Sequence, residues 1–203
     1  MKHPKTSWQN KIVELAKKNG IVRPRDIEHH GMPREYLLRL TKQGTLERRG
    51  RGLYALSGSL RSESRQLAEI AKRVPQGVVC LLSALQYHNI TTQMPYETWL
   101  ALESPGWRPK LDYPPVRIVW MTGKPFEFGI EEHLIDRVPV RVYGVAKTVA
   151  DCFKFRNKIG IDVAIEALRE VRRNRTVSMD SLWEAAKVCR VTRIIRPYLE
   201  AIS

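Results

Sequence analysis

Residues 33–56 read PREYLLRLTKQGTLERRGRGLYAL, and this stretch decides the architecture of the N-terminal part of the chain. At 100° per residue, Tyr36, Leu37 and Leu40 fall on one side of a helix, with a cationic face opposite them. The residues that follow form two short runs around a Gly50 to Gly52 turn, which is typical of a β-hairpin with glycine where φ is positive. The stretch therefore predicts a short helix followed directly by a basic two-stranded hairpin.

Two further helical patterns precede this stretch. Residues 8–19 place apolar side chains on one stripe, and residues 24–31 begin with proline and end with glycine. Three short helices and a hairpin within about 50 residues are the layout of a winged helix-turn-helix domain. A helix about 10 Å across fits the major groove of DNA, and a cationic hairpin beside it can lie along the phosphates. We therefore expect this part to bind double-stranded DNA.

The basic side chains of these elements are the candidate DNA contacts. Arginine can read guanine with two hydrogen bonds, whereas lysine suits a point contact with phosphate. Three arginines around one hairpin tip repel one another unless an anion is present, which favours a phosphate or minor-groove role. Leu38 could touch a thymine methyl or pack on the hairpin. The expected DNA-binding residues are Arg23, Arg25, Arg34, Leu38, Arg39, Lys42, Arg48, Arg49 and Arg51.

Charge and cysteine content limit the possible partners and the compartment. The chain of 203 residues carries 35 Lys and Arg against 21 Asp and Glu, a formal charge of +14, which favours a polyanionic partner. Its three cysteines, Cys80, Cys152 and Cys189, lie far apart within apolar or helical stretches and are expected to be buried thiols in a reducing cytoplasm. No apolar run approaches the ~20 residues of a membrane span, so we expect a cytoplasmic protein.

The pattern changes after the hairpin. Ser57-Gly58-Ser59 is a small, flexible tripeptide, and it predicts a boundary between residues 1–57, the winged helix-turn-helix domain, and residues 58–203. Residues 98–142 contain period-two runs interrupted by prolines, with helical periods on both flanks, and residues 78–88 are expected to form one buried helix. The fold class is therefore α+β, with a mixed α+β C-terminal domain.

Several short motifs resemble a known family, the AbiE-type antitoxins. In the N-terminal part these are Gly20-Ile21, Arg25-Asp26, Gly31, Pro33, Tyr36-Leu37, Leu40, Gly44, Leu46 and residues 50–54. In the C-terminal part they are residues 82–85 with His88, Val142-Tyr143 and residues 146–156. The resemblance covers most of the chain in the same domain order.

The resemblance implies the antitoxin of an abortive-infection, phage-defence toxin–antitoxin system. Such a protein represses its own operon by binding inverted repeats in the promoter, and its second domain helps to counteract a nucleotidyltransferase toxin. Direct contact with the toxin is left open. The protein would be a monomer or weak dimer that pairs on the two-fold operator.

The resemblance also raises a role in antitoxin function or in fold-specifying contacts for Lys147, Asp151 and Arg156. The alternative is that Lys147 and Asp151, four residues apart on a helix, form a surface ion pair.

Two rival functions remain open. The first is a ligand-responsive winged-helix regulator without a toxin partner. The second is a DNA-targeted nuclease, but the acidic residues lack the acid-x-Lys motif that a restriction-type metal centre needs, and no other catalytic motif is present. We therefore expect no enzyme activity, no catalytic residues, no metal and no cofactor.

Overall fold

The computed structural model describes residues 5–58, 65–111 and 114–201, with the side chains of residues 5–7 left out. This part of the chain is mixed α+β and divides into two compact units. The first unit runs to Arg73 and includes Leu134–Pro139, and the second comprises Val74–His133 and the chain from Val140 onward. The first unit thus extends beyond residue 57, and the domain boundary after residue 57 stays a prediction.

The first unit contains the three predicted helices and the predicted hairpin. Its elements are α1 (Lys5–Asn19), β1 (Ile21–Val22), α2 (Pro24–His29), α3 (Glu35–Lys42), β2 (Leu46–Gly50), β3 (Leu53–Leu56) and α4 (Arg65–Arg73). The strands form an antiparallel sheet in the order β1-β3-β2. Pairing of β1 with β3 was not expected, because two residues are too few to show a strand period.

Apolar side chains from the helices and strands of this unit form its core, and Leu15 packs against that core while only partly buried. Burial of one such side chain contributes about 1.5–3 kcal/mol relative to leaving it exposed. The fully packed members are at most 3% exposed, and they are Ile12, Ile27, Leu37, Leu40, Leu46 and Leu53.

Helix α3 ends just before Gly44. Gly44 has φ +73°, its N–H donates to the carbonyl of Thr41 at 3.0 Å, and the N–H of Thr45 donates to the carbonyl of Leu40 at 3.0 Å. Glycine enters this left-handed conformation without a Cβ clash, so the chain can turn directly into the hairpin. The helix begins at Glu35, and Arg34 is its N-cap residue.

The second unit is built on a five-stranded sheet in the order β6-β5-β4-β8-β7. Strand pairs β4–β8 and β5–β6 are parallel, and β4–β5 is antiparallel. The elements are β4 (Val78–Val79), α5 (Leu81–Tyr87), β5 (Thr98–Glu103), β6 (Val116–Met121), α6 (Lys124–Glu127), β7 (Ile130–Ile135), β8 (Val138–Tyr143), α7 (Val145–Lys154), α8 (Arg156–Ile159), α9 (Ile161–Asn174), α10 (Met179–Cys189) and α11 (Thr192–Ala201).

One expectation for this unit was wrong. Residues 78–88 do not form one helix, because Val78 and Val79 are the central strand of the sheet and only Leu81–Tyr87 are helical. A short run that is apolar on every side has no periodicity that separates a buried strand from a buried helix. Residues 98–142 contain strands with helices on both flanks, as expected, and these strands include residues 98–103, 116–121 and 138–143.

The three cysteines are buried, as expected. Burial raises the pKa of the Cys80 and Cys152 thiols well above the ordinary value. Burial, together with the carboxylate of Asp151, raises the pKa of Cys189 to about 12.

Because the thiolate is the reactive form, we expect iodoacetamide to leave all three cysteines of the folded protein unmodified near neutral pH. The same reagent should modify all three after unfolding in urea, as counted by intact mass spectrometry. Rapid modification of any cysteine in the folded protein would contradict its burial.

No helix among the described residues is both long enough and apolar enough to cross a membrane.

Candidate nucleic-acid interface

Helix α3 separates an apolar face from a cationic one. Tyr36, Leu37 and Leu40 are buried in the core of the first unit. Opposite them, the structure brings four of the predicted DNA contacts onto one exposed surface, the α3 face, which consists of Arg34, Leu38, Arg39 and Lys42. Leu38 is 58% exposed, so it does not pack fully against the hairpin. The α3 face is therefore accessible to a partner along its length.

Arg39 is held on this face by a neighbouring aromatic ring. Its guanidinium carbon lies 4.9 Å from the centroid of the Tyr36 ring, and Tyr36 itself is only 7% exposed. A cation–π contact at an exposed site contributes about 0.5–1 kcal/mol. The anchored ring therefore restricts the positions that the Arg39 guanidinium samples.

The three arginines of the hairpin do not share one environment. Arg48 and Arg51 are exposed, whereas Arg49 pairs with the carboxylate of Glu47 and its side chain is 11% exposed. Side chains alternate between the two faces of a strand, so Glu47 and Arg49 lie together and Arg48 points the other way. Arg65 of α4 also lies 3.8 Å from Glu47. Arg48 and Arg51 are thus the stronger candidates for contact with DNA.

The two arginines at α2 also differ. The Arg23 guanidinium donates to Asp26 and to the carbonyl of Lys72, and the Arg23 N–H donates to Asp26 at 2.9 Å. Burial raises the pKa of Asp26, but the hydrogen bonds from Arg23 and the charge of Lys72 outweigh this, so its pKa lies below the ordinary value. The Arg23 side chain is therefore engaged in contacts at the first turn of α2, whereas the Arg25 side chain is exposed to solvent.

Sequence reasoning missed the acidic partners Glu47 and Asp26. The spacing in the sequence could have predicted both ion pairs. Glu47 is two residues from Arg49 on a strand, and Asp26 is three residues from Arg23 at the start of a helix. Both spacings place side chains side by side.

Lys147 and Asp151 lie inside the second unit. They are 1% and 0% exposed, and the Lys147 ammonium donates to one carboxylate oxygen of Asp151. The Cys189 thiol donates to the other oxygen at 3.3 Å, and the Lys147 ammonium lies 4.0 Å from the centroid of the Tyr143 ring. The expected pairing is confirmed, but the interpretation of a surface ion pair was wrong, because α5, α9 and α10 pack around α7.

Burial dominates the electrostatics of this pair. It raises the pKa of the Asp151 carboxyl above the ordinary value, and the ammonium of Lys147 opposes that rise. Space for the lysine comes partly from Gly129, where a Cβ would lie 2.8 Å from the Cβ of Lys147. Arg156 is separate from the pair, at the start of α8, and its guanidinium donates to the carbonyl of Phe153 in α7 at 3.0 Å. The three residues thus do not form one shared surface.

Three short helices, a hairpin and an exposed cationic helix face are consistent with a helix-turn-helix regulator. Comparison with known families gives the same class, since residues 10–57 match the family described as "Transcriptional regulator, AbiEi antitoxin". The resemblance to AbiE-type antitoxins is therefore confirmed for this segment. No curated protein matches the chain.

A solved structure resembles nearly the whole chain. The crystal structure of the RV2827C protein from Mycobacterium tuberculosis superposes with a TM-score of 0.55. The alignment covers 99% of this chain and 82% of that chain at 11% sequence identity. At this identity, the likeness shows a shared fold.

Proposed function

We propose that the protein is an antitoxin-type transcriptional regulator that binds double-stranded DNA through a winged helix-turn-helix formed by α1 to β3. The α3 face enters the major groove, with Arg34 and Arg39 reading bases and Lys42 contacting phosphate. Arg48 and Arg51 of the hairpin follow the adjacent backbone. The observation that carries this proposal is the α3 face itself, which exposes three cations and Leu38 while its opposite side is buried in the core.

The charge distribution supports contact with a polyanion. Arg34, Lys42, Arg48 and Arg51 form no ion pair within the described residues, so their charges are available to phosphate. If each of two bound copies neutralises about four phosphates, the logarithm of the affinity falls with the logarithm of the salt concentration with a slope of about −7.

Repression of an operon and action against a toxin are proposed from the family that residues 10–57 match. We propose that two copies occupy an inverted repeat in the promoter, with half-sites about ten base pairs or a multiple of that apart, and so repress the operon. The second unit counteracts a cognate nucleotidyltransferase toxin. Co-expression with the product of the adjacent gene tests this last step, because a toxin that still arrests growth beside this protein would refute it.

DNA binding is tested with the purified protein and the region upstream of its own gene. A gel shift at low ionic strength should show a complex that survives competition by a shuffled duplex, and footprinting should show two protected half-sites. Failure to bind any duplex at low ionic strength would overturn the proposal.

The hairpin arginines should act on affinity and not on sequence preference. We expect Arg48→Ala combined with Arg51→Ala to weaken binding to all duplexes equally and to reduce the salt slope by about one unit per arginine, since phosphate contacts carry no sequence information. Arg49→Ala is the matched control, because Arg49 already pairs with Glu47. An equal loss in the control, measured by fluorescence anisotropy, would contradict the division of the three arginines.

A further inference from the structure

An open groove of about 430 Å³ lies beside α2 in the first unit. We name it the α2 groove. Its lining residues are Asn19, Arg25, Asp26, His29, His30 and Lys72. Donor groups dominate this lining, and Arg25, His29 and His30 are all exposed.

The acidic group of the α2 groove is already engaged. Asp26 pairs with the Arg23 guanidinium at 3.2 Å and with the Lys72 ammonium at 3.5 Å. Arg25, in contrast, forms no ion pair within residues 5–58, 65–111 and 114–201. Glu28, the remaining acid of α2, is exposed and does not line the groove. The α2 groove therefore offers cationic and donor groups to an incoming anion.

The hydrogen bond of His30 determines which of its nitrogens faces a ligand. Nδ1 lies 2.7 Å from the carbonyl oxygen of Asp26, and a carbonyl can only accept, so Nδ1 carries the hydrogen. In the neutral ring, Nε2 is then an acceptor and cannot bind an anion. Uptake of a proton converts Nε2 into a donor and makes the ring cationic. The His29 ring lies 6.0 Å away, centroid to centroid, on the same groove.

We propose that the α2 groove binds a phosphate of the DNA backbone and takes up a proton on His29 or His30 when it does so. The proposal rests on the proposed DNA binding. His30 precedes Arg34 by four residues, so the groove lies within about 14 Å of the start of α3 along the chain. A DNA duplex carries one charge per about 1.7 Å of its axis. A backbone phosphate therefore lies within reach of the α2 groove when the α3 face occupies the major groove of DNA. The charged groups that line the α2 groove together with the two imidazoles are Arg25, Asp26 and Lys72.

The test compares three forms of the full chain on a duplex of arbitrary sequence about 20 base pairs long, since phosphate contacts require no operator. Affinity is measured by anisotropy between about pH 6 and pH 8 at constant ionic strength. Wild type should bind on the order of three- to tenfold more tightly at the lower pH. The double variant His29→Gln/His30→Gln should lose this dependence, and the control His133→Gln, altered in the second unit, should keep it. Calorimetry in two buffers of different ionisation enthalpy should show proton uptake by wild type.

The outcomes separate the two proposals. Wild type that binds no duplex at any pH would overturn the DNA-binding function. Wild type that binds equally at both ends of the range, or a double variant that keeps the pH dependence, would overturn the role of the α2 groove and leave DNA binding intact. Inorganic phosphate alone should give no saturable heat, whereas saturable binding would show a site for the free anion and overturn the assignment to backbone phosphate.

Discussion

Replacement of Arg34 and Arg39 by alanine should abolish the preference of the protein for its own promoter while leaving general DNA binding measurable. One bidentate arginine–guanine contact supplies about 1–3 kcal/mol of discrimination, and each 1.4 kcal/mol is tenfold. Loss of both should reduce the ratio of specific to non-specific affinity on the order of 30-fold to 10⁴-fold. These two arginines are expected to reach the bases because both lie on the exposed α3 face and the ring of Tyr36 orients Arg39.

The measurement is competition anisotropy of the labelled promoter region against a shuffled duplex. Arg190→Ala is the matched control, since Arg190 is an exposed arginine of the second unit. A double variant that loses affinity for both duplexes to the same extent would show that Arg34 and Arg39 contact phosphate and do not read bases. A control that loses the preference would contradict the α3 face as the reading surface.

The second large effect concerns the pair of Lys147 and Asp151. Removing one partner leaves an uncompensated charge in the core, which costs about 3–5 kcal/mol in the free energy of unfolding. We therefore expect Lys147→Met and Asp151→Asn each to destabilise the second unit by that amount. Replacing both partners with apolar residues, as Lys147→Met/Asp151→Leu, should cost less than either single change, because no buried charge remains.

Urea denaturation followed by tryptophan fluorescence reports this unit, since four of the five tryptophans, Trp99, Trp107, Trp120 and Trp183, belong to it. Lys154→Met, on the same helix but only partly buried, is the control and should change the midpoint little. Equal stability of wild type and the single variants would show that the pair contributes nothing to the fold. If the variants stay folded and still fail to counteract a toxin, the two residues act in antitoxin function as well.

Much of the candidate interface could be predicted from short segments. The spacing of Tyr36, Leu37 and Leu40 predicted the buried face of α3, and the helix ends just before Gly44, a residue type that favours such a stop. The N-cap of α10 is equally local, since the Ser178 hydroxyl accepts from the N–H of Ser181 at 3.1 Å. Each of these features depends on atoms within one helical turn or one strand alternation, so the local residue types contain the necessary information.

Other features depended on elements far away in the chain. Val78 and Val79 form a strand because β5 and β8 lie on either side, and no period within two residues could show this. Arg49 resembles Arg48 and Arg51 in sequence but pairs with Glu47, next to Arg65 of α4. The His30 ring contributes to the α2 groove because the ends of α1 and α4 lie beside α2.

The amino-acid sequence by itself determined that the first unit contains three short helices and a hairpin, which side of α3 is buried, and that the chain is basic. These properties follow from periodicity, capping and turn chemistry, which act over a few residues. Only the tertiary structure decided which cations face solvent and which are neutralised, and whether the pair of Lys147 and Asp151 is exposed or buried. The reason is that the environment of a charged group depends on all the segments that surround it, and these are brought together only when the chain folds.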